Sequence, residues 1–199
     1  MVDQKIASNS ILDFQKDIWD RIKKIPTSKK IGSAYLFFGP AGCGKEATAI
    51  KFSQMLNCEN LIGEICDKCS SCIKINKLQH ENVKLIFPMP ASKKSHGNGD
   101  YSIDKGSLEI VTQQVYKKSL NPYQKIKIPM ANRILIQSVR ELRKDLYLKG
   151  DSKGRQVVLV FDAHLLSSGQ GEAANALLKL LEEPPTNTTI VLVSDHIEL

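Results

Sequence analysis

Gly39, Pro40, Ala41, Gly42, Cys43, Gly44 and Lys45 form a run whose residue types suit one task, the cradling of phosphate. Glycines at 39, 42 and 44 let the backbone turn back, so that successive N–H groups face phosphate oxygens at the start of a helix. Lys45 then reaches the terminal phosphates. The flanks agree: the apolar run Ala34-Tyr-Leu-Phe-Phe38 predicts a strand before the loop, and Ala47 to Leu56 predicts a helix after it. A second apolar run, Val157-Val-Leu-Val-Phe161, is closed by Asp162, an acid at a strand end.

Two positions in this machinery carry residues that work against ATP hydrolysis. Glu46 follows Lys45, where the motif requires Ser or Thr to put a hydroxyl on Mg²⁺, and it brings negative charge toward phosphates. Thr48 does not substitute, because two residues along a helix is about 200° around it. Ala163 follows Asp162, where a hydrolysing enzyme of this type carries a Glu to polarise water, a contribution of about 10²–10⁴-fold. His164 is a conceivable replacement base, although a histidine on a strand-end turn is the plainer reading.

Cys58, Cys66, Cys69 and Cys72 supply a second chemistry. Their spacing, Cys-x₇-Cys-x₂-Cys-x₂-Cys, gives four soft ligands with two tight knuckles and suits tetrahedral zinc. A site filled by four cysteines has no open position, so this metal would hold a module over 57–73 together and do no chemistry. Unmetallated thiols are the alternative. Cys43 lies in the phosphate loop and is not counted as a ligand.

The elements that must position these groups read as α/β. At 199 residues the chain has length for one domain plus an insertion. Ile11, Phe14, Ile18, Ile22 and Ile25 mark an amphipathic helix ending before Pro26, with Trp19 packing beside its stripe. Val83 to Phe87 reads as a buried strand, and Val157 to Phe161 and Ile190 to Val193 as central parallel strands covered on both faces. Ile136, Val139, Leu142 and Leu146 define a helix face, and Glu172 to Glu183 a helix halted by Pro184-Pro185. Strand and helix therefore alternate in a three-layer architecture with a central parallel sheet. Residues 91–100 read as a mobile loop within an insertion over 91–130, where a helix near Ser107–Lys118 and a turn at Asn121-Pro-Tyr are expected.

A formal charge of +7 suits contact with nucleic acid or an acidic partner without identifying either. Arg140, Arg143 and Lys144 share a helix, but Glu141 and Asp145 are interleaved with them, as on a solvated face. No membrane span is read, and the N-terminus lacks the basic start and apolar core of a signal peptide, which points to the cytoplasm.

The phosphate loop, a four-cysteine insert directly after its helix, and Ala173-Ala-Asn-Ala-Leu-Leu-Lys-Leu-Leu-Glu-Glu-Pro-Pro185 together resemble the bacterial DNA polymerase III clamp-loader subunits of the AAA+ class. The resemblance covers most of 10–199 apart from 91–130. It implies a P-loop AAA+ domain in which Gly39 to Lys45 bind phosphate, Asp162 is the Walker B acid, Ser194 lies near the sensor-1 position, and the zinc module is structural. Asp195 and His196 depart from what the family pattern leads one to expect. Gamma/tau subunits keep an intact phosphate loop and an Asp-Glu pair, whereas delta-prime subunits commonly lose them, and this chain looks like the latter. That implies gamma/tau and delta partners, and action on the sliding clamp and primed DNA through the complex. The Ser-Arg-Cys segment and the lid and collar domains of such subunits are expected beyond Leu199, so a fragment that cannot complete a neighbour's ATP site is the expectation. ATP binding with uncertain Mg²⁺, an active gamma/tau-type ATPase, and direct nucleic-acid binding by the cysteine module and basic helix are the alternatives.

Overall fold

The computed structural model describes residues 15–26, 31–90, 105–148 and 154–196. Helix α1 (Lys16–Ile22) leads into strand β1 (Ala34–Phe38), the phosphate loop and helix α2 (Lys45–Asn57). Helix α3 (Ser70–Asn76), strand β2 (Val83–Ile86), helix α4 (Lys105–Leu120) and helix α5 (Ile136–Leu148) follow. Strand β3 (Gln156–Val160), a 3₁₀ turn over Ala163–Leu166, helix α6 (Glu172–Glu182) and strand β4 (Thr188–Ser194) complete the described elements. The predicted helices and strands are all present with small shifts at their ends. Residues 11–14 of the expected first helix and the expected loop over 91–100 lie outside the described residues.

The four strands form one parallel sheet in the order β1-β4-β3-β2. Alternation along β3 and β4 divides the core into two layers, because successive side chains point to opposite faces. Val157, Leu159, Phe161, Val191 and Val193 face α2, meeting Ala49, Ile50, Phe52 and Met55, with Trp19 and Ile22 of α1 in the same cluster. Val158, Val160 and Ile190 face Val139, Leu142 and Leu146 of α5 and Leu177 and Leu180 of α6. A fully buried side chain of this size contributes about 1.5–3 kcal/mol. The three-layer reading therefore holds, and Trp19 is a core residue.

The segment after α4 belongs to this core as well. Ile126 and Ile128 are buried in the α2-side layer, with Ile110, Val111 and Val115 of α4 packed against it. Asn121 makes the expected turn: its backbone carbonyl accepts from the Gln124 N–H at 3.0 Å and its side chain from the Tyr123 N–H at 3.1 Å. This packing fixes 105–130 against the face of the sheet that carries the phosphate loop.

Candidate functional site

The carboxyl ends of β1, β3 and β4 lie side by side, and a parallel sheet places its ligand crevice there. Phe38 is in register with Ser194, and the Gly39 N–H donates to the Ser194 carbonyl at 3.4 Å, so the loop starts against the end of β4. Gly42 and Gly44 adopt φ of +81° and +87°, the left-handed region that glycine enters without a Cβ clash. Gly39 leaves room for Cys43, whose Sγ would lie 3.0 Å from a Cβ at position 39. The loop thus has the backbone shape that its glycines predict.

Its side chains are committed elsewhere. Lys45 donates to the Pro40 carbonyl at 3.0 Å and forms an ion pair with Asp195. Glu46 forms an ion pair with Lys118 of α4, which is fully buried and also donates to the carbonyls of Pro122 at 3.2 Å and Gln124 at 2.8 Å. The Lys118 ammonium lies 4.9 Å from the centre of the Phe161 ring, a cation–π contact on the side away from water. Asp162, with φ of +51°, starts the 3₁₀ turn and accepts from Lys125 at 2.8 Å. Lys125 donates to Asp195 as well, at 2.6 Å. The Tyr123 ring lies over the loop, 3.3 Å from where a Gly44 Cβ would sit.

The electrostatics follow from this packing. Burial opposes the charge on Lys125, but the carboxylates of Asp162 and Asp195 outweigh it and raise the ammonium above its usual range. Burial likewise acts against ionised Asp195, yet Lys125 and Lys45 hold its carboxyl below the usual carboxylate range. For Lys118 burial prevails and lowers its pKa, with Glu46 opposing that shift. Among the described residues, Glu46, Asp162 and Asp195 are therefore each matched by an ammonium.

The remaining residues singled out from sequence lie close by. Thr48 donates back to the Gly44 carbonyl at 3.0 Å, as its position round the helix requires, and offers no ligand to a cation. Ala163 is buried in the apolar layer with Leu166 and Leu177. Ser194 bonds the backbone of His196, and its Oγ lies 3.5 Å from His164 Nδ1. The His164 and His196 rings meet edge to face, and burial lowers the His164 pKa. Sequence reasoning missed Lys118, Tyr123 and Lys125 and gave Asp195 no role. The one available signal was Glu46 itself, since a carboxylate that becomes buried requires a cationic partner. The side chains present do not suit a Mg²⁺-bound triphosphate: no hydroxyl stands at position 46, and Asp162 is already paired.

The cysteine segment presents the opposite case, a set of groups that fits a metal. Sγ atoms of Cys58, Cys66, Cys69 and Cys72 all lie within 4.8 Å of one another, with Cys58 to Cys66 at 3.5 Å and Cys66 to Cys72 at 3.9 Å. Tetrahedral ligation with Zn–S of about 2.3 Å requires sulfurs about 3.8 Å apart. Backbone N–H groups point at the sulfurs, from Cys69 to Cys66 and from Cys72 to Cys69, each at 3.4 Å. N–H groups of Lys68 and Cys69 lower the Cys66 pKa to about 6, while burial raises that of Cys72. None of the five cysteines forms a disulfide. These four could hold a metal ion.

Asp67 joins this segment to α2 by accepting from Lys51 at 2.9 Å and Gln54 at 2.8 Å, both buried. Its φ of +53° also favours a short polar side chain. Asp67→Ala is expected to cost about 1–3 kcal/mol by stranding those donors. Asp67→Asn, which tolerates the backbone and keeps an acceptor, should recover most of it in urea unfolding.

On α5, Arg140, Arg143 and Lys144 are exposed. The interleaved acids have protein partners: Asp145 accepts from Lys84 at 3.1 Å and Glu141 from Gln137 at 2.9 Å. Among the described residues no helix is long and apolar enough to cross a membrane.

Parallel sheet, strand-end acid and glycine loop at a helix start define a P-loop α/β domain, and the arrangement fits the AAA+ kind. Residues 14–199 match the family described as DNA polymerase III, delta subunit. The chain belongs to that family, and the resemblance to clamp-loader subunits holds. It is 26% identical over 181 residues to DNA polymerase III subunit tau of Bacillus subtilis, covering 90% of this chain and 24% of that protein. To DNA polymerase III subunit delta' of Pseudomonas aeruginosa it is 27% identical over 185 residues, covering 92% and 43%. To subunit delta' of Bacillus subtilis it is 25% identical over 167 residues, covering 84% and 37%. This chain thus spans less than half the length of each of these relatives.

Proposed function

We propose that the chain is the ATPase-like domain of a delta-prime-type clamp-loader subunit, a protein-interaction element with weak or absent hydrolysis of its own. The observation that carries this reading is the pairing of Glu46 with Lys118, which puts an ammonium-bound carboxylate where a hydrolysing relative needs a hydroxyl on Mg²⁺. Buried Ala163 supports it, since no carboxylate there can polarise water. The identities to tau and delta' relatives are nearly equal and do not separate the two subunit types. Glu46 paired with Lys118 and the buried Ala163 favour the delta-prime type.

In this reading Gly39 to Lys45, Asp162 and Ser194 are the inherited nucleotide positions, and Cys58, Cys66, Cys69 and Cys72 hold a structural zinc. Partners are gamma/tau and delta subunits in the cytoplasm, and contact with the sliding clamp and primed DNA is made through the complex. Within this domain 57–73 is the zinc module and 91–130 the insertion.

The test is ATP binding with and without Mg²⁺, followed on the same sample by phosphate release. Expected is no release above background, and none altered by Lys45→Ala. Mg²⁺-dependent turnover abolished by Lys45→Ala would instead make this a gamma/tau-type motor subunit.

A further inference from the structure

Resting on that reading, we propose that residues 118–125 are an internal plug that keeps the nucleotide pocket shut, with the Lys125 ammonium standing where a divalent cation would otherwise bridge Asp162 and Asp195. Three observations carry this, and the first two do not depend on the motif defects at 46 and 163.

First, Lys125 Nζ lies 2.8 Å from Asp162 and 2.6 Å from Asp195, so one ammonium already bridges the two acids at the strand ends. A magnesium ion needs oxygen ligands at about 2.0–2.1 Å in octahedral array and retains several waters, which this spot cannot supply while the ammonium occupies it. Second, the Tyr123 ring rests against Gly44 at the helix start, 3.3 Å from where a Cβ there would sit, and so takes up space beside the loop. Third, the plug is anchored at both ends. Lys118 ties the carbonyls of Pro122 and Gln124 to Glu46 beneath the loop, and Ile126 and Ile128 are buried just beyond. Opening it would strand a buried ammonium and a buried carboxylate together, a costly state in a low-dielectric interior.

Charge balance gives the plug its consequence. Three ammoniums, Lys45, Lys118 and Lys125, face three carboxylates, Glu46, Asp162 and Asp195. A triphosphate arriving without metal would meet these carboxylates, and one arriving with metal would have to expel Lys125.

The sign of the charge makes the idea testable. Lys125→Met removes the ammonium that bridges Asp162 and Asp195, leaves Lys45 on Asp195 alone, and so frees carboxylate oxygens of both acids as hard ligands for a divalent ion. Mn²⁺ is the probe, since it prefers carboxylates and leaves a zinc-loaded thiolate site alone. The zinc-loaded chain and its variants would be titrated with Mn²⁺ by electron paramagnetic resonance, then with a fluorescent ATP analogue with and without Mn²⁺. The unaltered chain should show no Mn²⁺-dependent change in nucleotide affinity. Lys125→Met should bind one equivalent of Mn²⁺ and gain at least about tenfold in Mn²⁺-dependent affinity, about 1.4 kcal/mol. Adding Tyr123→Ala should raise it further, and Lys125→Arg should behave as the unaltered chain. Circular dichroism would establish that each variant is folded. A folded Lys125→Met/Tyr123→Ala chain that takes up neither Mn²⁺ nor nucleotide would overturn the plug, as would Lys125→Arg behaving like Lys125→Met. Neither result would touch the delta-prime reading, which fails only on turnover.

Discussion

Lys118→Met is expected to destabilise the chain by about 3–5 kcal/mol, because it leaves the Glu46 carboxylate buried with no counter-charge. Lys118 is wholly enclosed and Glu46 is 7% exposed, so water cannot take over the lost partner. The carbonyls of Pro122 and Gln124 lose their donor at the same time, which loosens the turn carrying Tyr123 and Lys125. Domain stability is about 5–15 kcal/mol in total, so this single change consumes a large share of it. Glu46→Leu combined with Lys118→Met replaces the pair by apolar groups and should return to within about 1–2 kcal/mol of the starting chain, or exceed it. The full double-mutant cycle in urea should therefore show a coupling energy of several kcal/mol between residues 72 positions apart in the chain. Equal stabilities of Lys118→Met and the unaltered chain would show that Glu46 does not depend on Lys118.

If the four cysteines hold zinc as proposed, its removal is expected to have the second large effect. The cysteine cluster is tied to the main core: α3 is capped by Cys69, carries the fully buried Cys72, and places Ile75 in the α2-side layer. Without metal, four sulfurs this close together have little to hold them, and thiolates would repel one another. Small zinc-binding peptides gain about 10–16 kcal/mol from the metal, and much of it is folding free energy. Stripping the metal with a chelator, or Cys72→Ser, should cost about 3 kcal/mol or more, which is about 6–12 °C in Tm for a domain of this size. Metal analysis should find one zinc per chain before treatment and none after. Identical melting with and without metal would remove the structural role assigned to these cysteines.

The amino-acid sequence by itself determined the architecture and the two motif-bearing segments. Val157 to Phe161 and Ile190 to Val193 are apolar without alternation, and only strands covered on both faces need that composition. Gly42 and Gly44 announce left-handed backbone, and the cysteines announce their cluster through spacing so short that the chain itself brings them together. In each instance the information is local, within about fifteen residues, so a period or spacing can express it.

The tertiary structure alone decided the electrostatic state of the phosphate loop. Lys118 and Lys125 sit in a stretch with weak periodicity, and a lysine destined for burial is written no differently from one destined for solvent. Their partners, Glu46 and Asp162, lie 72 and 37 positions away and meet them only because 105–130 folds over the carboxyl ends of the strands. Glu46, read in sequence as a charge that repels phosphate, proves to be the anchor of a buried ion pair. Asp195, read as a departure from a family pattern, is the carboxylate shared by Lys45 and Lys125. Coulomb energy depends on distance through space and on the dielectric between the charges, and the order of residues along a chain fixes neither until packing has excluded the water.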